Sequence, residues 1–132
     1  MTTTTADLLA ALGAHLAAFE LPLIASVVVR AEMPAPQLTV QLTGEEPSAI
    51  AQGLLAWADT LTDVTAETWR VPRSDSVHLS VTGLLPGGAT VYVYGGLRVT
   101  DCCPGAGLEP NATTTLPLLA LRHLATPEQV TL

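Results

Sequence analysis

Chemistry in this chain of 132 residues would have to come from two adjacent cysteines, three histidines and one short serine–histidine–aspartate neighbourhood. Cys102 and Cys103 stand side by side in "LRVTDCCPGAGLEP", residues 97–110. Successive side chains of an extended backbone point to opposite faces, so a strand cannot offer both sulfurs to one metal. A disulfide between neighbours needs a strained small ring, far inside the usual separation of bridged residues. Zinc asks for further ligands at clustered spacing, and His15, His78 and His123 fall on three separate elements. The pair reads as buried or loop thiols rather than as a metal or redox centre.

Asp75, Ser76 and His78 are the residue types of nucleophilic catalysis. On one strand face, however, Ser76 and His78 stand about 7 Å apart, beyond hydrogen-bond reach. "YGGL" at 94–97 is too short for a phosphate loop, and neither Gly-x-x-x-x-Gly-Lys nor Gly-x-Gly-x-x-Gly occurs. No catalytic residue, metal ligand or cofactor is expected, and the reading leans away from an enzyme.

Charge narrows the partners. Five arginines, no lysine and twelve acids give a net charge of −7. That set cannot neutralise the phosphates of a nucleic acid or dock on anionic lipid. A nucleic-acid mimic would need contiguous acids, and only Glu45 and Glu46 are adjacent. Although 48% of residues are hydrophobic, no run approaches the ~18–20 apolar residues of a membrane span. The first twenty residues lack a positive leader region and carry Asp7 and His15, so a cytoplasmic protein is expected.

These residues must be positioned by elements, and the spacing predicts a single domain over 1–132. Residues 1–5 read as a flexible tail. Thr4 and Asp7 fit a capping box, and Leu9, Leu12, Leu16 and Phe19 recur at helical intervals, predicting a helix over 6–18. "LIASVVVRAE" (23–32) and the alternating "QLTVQLTG" (37–44) predict a hairpin. Pro47 at the first helical position and the stripe Ile50, Leu54, Trp57 and Leu61 predict a second helix over 47–62. Strands follow at 63–71, 77–85 and 89–99, the last two joined at Pro86-Gly87-Gly88. Residues 101–115 read as an irregular loop, with Thr115 capping a short last helix that Pro127 ends. The order is α-β-β-α-β-β-β-α: an α+β domain with a five-stranded, mostly antiparallel sheet and helices on one face.

Parity along the strands then names a surface. With Val77, Leu79 and Val81 facing the helices, His78 points away; with Val91 and Val93 inward, Tyr92 and Tyr94 point out. Val64 and Ala66 inward put Trp69 on the same side, and Arg30 and Arg98 are candidates to share it. Exposed aromatics of this kind mark association surfaces. The reading is a non-enzymatic interaction or regulatory module that pairs with itself or another protein through this face. The alternative is a small-molecule or enzymatic pocket near His78, Tyr92, Tyr94 and Arg98.

"LLAWADTLTDVTAETWRVPRSDSVHLSVTGLLPGGATVYVYGGL", residues 54–97, resembles small uncharacterised proteins of high-GC actinobacteria, with "DSVHLSVTG" followed by "VYVYGGL" as the marking words. Some of these look like cargo of integrative elements or phages. The likeness covers the middle third of the chain and implies no activity and no site residues. A genome of that kind also fits the use of arginine in place of every lysine.

Overall fold

Thr4 starts the first helix as its sequence requires. Its hydroxyl accepts from the Asp7 amide and the Asp7 carboxylate accepts from the Thr4 amide, both at 3.0 Å, closing a capping box. The computed structural model describes residues 4–31, 36–44, 46–98 and 108–126. In chain order these form α1 (Thr5–Ala18), β1 (Ile24–Arg30), β2 (Gln37–Leu42), α2 (Pro47–Ala58) and β3 (Thr62–Arg70). β4 (Ser76–Leu84), β5 (Thr90–Arg98), β6 (Thr113–Thr115) and α3 (Leu118–Ala125) complete it.

The fold is α+β, with one open mixed sheet in the order β1-β2-β5-β4-β3-β6. β1–β2, β5–β4, β4–β3 and β3–β6 pair antiparallel; β2 and β5 run parallel in the middle. Six strands therefore replace the five expected. The added strand, Thr113–Thr115, falls inside the supposed loop 101–115, and Thr115 pairs with Glu67 instead of capping a helix. α3 begins after Pro117, whose backbone is extended. Thr5 is already helical, so the first helix starts inside the expected tail. Cys102 and Cys103 lie outside the described residues.

The inner face of the sheet carries Leu38, Val40, Leu79, Val81, Val91 and Val93, all fully buried beneath α2. Ile50, Leu54 and Trp57 supply the facing stripe, as the helical spacing requires. α2 stops at Ala58 rather than 62, because the Asp59 and Thr60 amides close a turn on Leu55 and Trp57. Leu61 still reaches the core from beyond the helix. On α1 the buried side is Leu8, Leu12 and His15, while Leu9, Leu16 and Phe19 stay exposed, a correction to the expected stripe. His15 takes the inward position by stacking on Trp57, with ring centroids 5.6 Å apart. α3 lies against α2, with Leu121 buried and the Gln52 amide donating to the Ala125 carbonyl at 2.8 Å.

Two glycines allow this arrangement. Gly88, at φ +93°, closes the β4–β5 hairpin by donating to the Leu85 carbonyl at 2.8 Å. Gly95 faces α2, where a Cβ would stand 2.5 Å from Cγ2 of Ile50. Gly95→Val is therefore expected to cost about 1–3 kcal/mol by overpacking. A lower urea midpoint with an unchanged slope would show it.

Candidate functional site

α2 packs over β4 and β5 on the inner face, α3 lies against α2 and α1 against β1, so the outer face is bare of helix among the described residues. Its composition follows from strand parity. β5 places Tyr92, Tyr94 and Arg98 outward; β4 places Ser76, His78, Ser80 and Thr82; β3 places Thr65, Glu67 and Trp69. β1 adds Val28 and Arg30, β2 adds Thr39 and Gln41, and β6 adds Thr113 and Thr115.

Four rings join across the middle of that face. Trp69 and His78 are direct cross-strand partners, with centroids 5.1 Å apart and an edge-on approach. His78 then stacks on Tyr94 at 4.7 Å, and Tyr94 tilts against Tyr92 at 5.8 Å. The register explains the stack. His78 sits opposite Gly96 and Tyr94 sits opposite Ser80, so each ring has a small neighbour to lean over. A Cβ on Gly96 would meet the His78 ring at 3.6 Å, an ordinary contact distance. Offset and edge-on pairs of this spacing each contribute about 0.5–1.5 kcal/mol beyond the area they bury.

The row is held in place at its β3 end. The Trp69 indole N–H donates to Oδ1 of Asn111 at 3.1 Å, and Asn111 is fixed in turn by its amide donating to the Arg70 carbonyl at 2.8 Å. Asn111 adopts a left-handed backbone, φ +67°, which asparagine tolerates well. Strand parity already puts Ser80 on this face beside His78, whereas Asn111 and Gly96 carry no such signal in the sequence. Only the turn-like "PNA" before a threonine run hints at Asn111.

Trp69, His78, Tyr92 and Tyr94 are thus brought together, each partly buried. Arg30 and Arg98 share the face but stand at opposite ends of it. Arg30 lies in the row of Gln37 and Thr90, and Arg98 pairs with Ser76 at the far end of β5. A pocket gathered around His78 and Arg98 would have to form on this exposed end of the sheet. Ser76 accepts from the Ser74 hydroxyl at 3.1 Å, and the contacts of His78 are to rings. Among the described residues no three His, Cys, Asp or Glu side chains gather to hold a metal ion. Nor is any described helix long and apolar enough to cross a membrane.

Burial lowers the His78 pKa below the usual histidine value, and burial does the same to His15. Both rings are therefore neutral at pH 7. The consequence for stability has a definite sign. With folded values below the unfolded value near ~6.5, the unfolded chain binds protons that the native one refuses. Stability is full above that pH and falls as pH drops through ~6.5 toward the folded values. Urea midpoints measured between pH 7.5 and 5.5 should decline, and His78→Gln should flatten the decline.

No family model, curated protein or solved structure matches this chain.

Proposed function

We propose that this protein is a self-associating interaction module whose outer sheet face is buried against the same face of a second copy. The observation that carries the reading is the ring row Trp69–His78–Tyr94–Tyr92, standing on a sheet face that the described helices leave uncovered. Large, conformationally restricted aromatics gathered at the middle of a patch are the usual anchors of protein association.

Three properties favour a second copy as the occupant. Six strands at the usual spacing span about 24 Å, and nine residues of strand about 30 Å. The face is then on the order of 600–700 Å², close to the ~800 Å² that each partner gives to a standard interface. Charge is sparse there: of the strand residues named on this face only Arg30, Arg98 and Glu67 are charged, in a chain of net charge −7. Two copies of an acidic protein meet with least repulsion on such a surface. The many hydroxyls and amides, such as Ser26 donating to Gln41 at 3.0 Å, suit a polar rim around an aromatic centre. In this reading the module works in the cytoplasm without a catalytic group.

Sedimentation velocity tests it with two arginine substitutions. Tyr94→Arg puts like charges opposite each other in the paired face and is expected to leave monomer. Ala49→Arg, on the exposed side of α2, is expected to leave dimer. Wild-type protein that sediments as a monomer at all concentrations would overturn the reading, as would equal dissociation by both variants.

A further inference from the structure

A second site lies on the helix side of the molecule, away from the aromatic row. Between α1 and the β4–β5 turn is a groove of about 410 Å³, within the range of small-molecule pockets. Ala11, Ala14, Ala18 and Phe19 of α1 form one wall, and Leu85 and Pro86 the other. Among the described residues one polar side chain lines it. That side chain is His15, only 4% exposed.

The hydrogen bonds around His15 settle which of its nitrogens carries the proton. The Thr60 hydroxyl donates its single hydrogen to the Trp57 carbonyl at 2.8 Å. Its oxygen can then only accept from Nε2 of His15, 2.7 Å away. Nε2 is the protonated nitrogen, so Nδ1 of the neutral ring keeps a bare lone pair. Among the described residues Nδ1 has no hydrogen-bond partner. The ring is restrained from turning by its stack on Trp57, centroids 5.6 Å apart, and by Phe19, which meets it at a tilt of 51° with centroids 4.9 Å apart. An acceptor of fixed direction beside an apolar groove selects for a matching donor.

We propose that the groove binds a small, largely apolar molecule carrying one hydroxyl or N–H donor, of the phenol or aromatic-alcohol class, with His15 Nδ1 accepting from that donor. The alanines give such a ring room to lie along α1, and Phe19 gives it an aromatic neighbour. This site is independent of the outer face, and its occupant need not affect association.

The test uses the full chain and three probes: 2-naphthol, its methyl ether 2-methoxynaphthalene, and naphthalene. In ¹H–¹⁵N spectra 2-naphthol should move the resonances of Ala11, Ala14 and Leu85 saturably, together with the side-chain Nδ1 signal of His15. The ether and the hydrocarbon, which lack a donor, should bind about fivefold or more weakly, the worth of one neutral hydrogen bond. Ala14→Leu fills the groove from an exposed helical position and should abolish binding at unchanged melting temperature; Gly87→Leu does so from the turn if the first variant fails to fold. Absence of saturable shifts with 2-naphthol overturns the site, as does binding unaffected by the filling substitutions. Equal affinity for the ether overturns the role of Nδ1.

Discussion

Replacing Trp57 with alanine should remove about 3–5 kcal/mol of unfolding free energy, the cost of emptying a fully buried aromatic position. Trp57 is wholly buried, sits at the C-terminal end of the stripe on α2, and carries the ring of His15 on its face. Truncation would open a cavity under α1 and remove that support together. Domains of this size hold only about 5–15 kcal/mol in all, so the variant should be marginal near room temperature. Trp57→Phe makes the argument specific. Among the described residues the buried Trp57 indole N–H has no hydrogen-bond partner, so its desolvation is not offset there. Phenylalanine keeps most of the ring and discards that donor, so its loss should be far smaller. Urea unfolding of the three proteins checks this, and equal losses for Ala and Phe would show that the ring volume is not what matters.

The second large effect concerns association. Trp69→Ala and Tyr94→Ala should each raise the dimer dissociation constant on the order of 30-fold, the ~2 kcal/mol expected of an aromatic anchor at an interface centre. Both rings touch His78, at 5.1 and 4.7 Å, so the substitutions share a partner. Their combined effect should then differ from the sum of the two. Sedimentation equilibrium on the two single variants and the double variant measures this. Thr39→Ala, on the same face but outside the row, should change the constant little. If Thr39→Ala weakens the dimer as much as Trp69→Ala does, the ring row is not its centre.

How much of this was legible in the sequence depends on which interactions are local. The alternation in "VHLSV" and "TVYVYG" fixed which side Tyr92, Tyr94 and His78 take, because strand parity is a property of the backbone alone. Trp69 followed from Val64 and Ala66, even though a register shift between Thr62 and Thr65 lies at the start of that strand. The capping box was readable for the same reason: Thr4 and Asp7 are three residues apart and need nothing else.

Non-local features were not readable. Strand order is set by distant pairings, and no turn chemistry says that β2 runs parallel beside β5, about fifty residues away in the chain. β6 has three residues, follows a stretch rich in glycine and proline, and becomes a strand because Thr113–Thr115 find the free edge of β3. The α1 stripe was misplaced by about one residue because His15 counts as polar in any periodicity. It behaves as a core residue only when Trp57 lies under its ring and the Thr60 hydroxyl accepts from its Nε2. Within the candidate site, the stacking of His78 on Tyr94 depends on Gly96 and Ser80 lying opposite them, a matter of register between strands.

The most direct measurement is a filtered nuclear Overhauser experiment on an equal mixture of ¹³C-labelled and unlabelled protein, which reports only contacts between different copies. Cross-peaks between copies from the ring protons of Trp69, His78, Tyr92 and Tyr94 are the expected result. Intermolecular cross-peaks that arise instead from α1 or α3, or none at concentrations well above the micromolar range, would contradict burial of the outer face by a second chain.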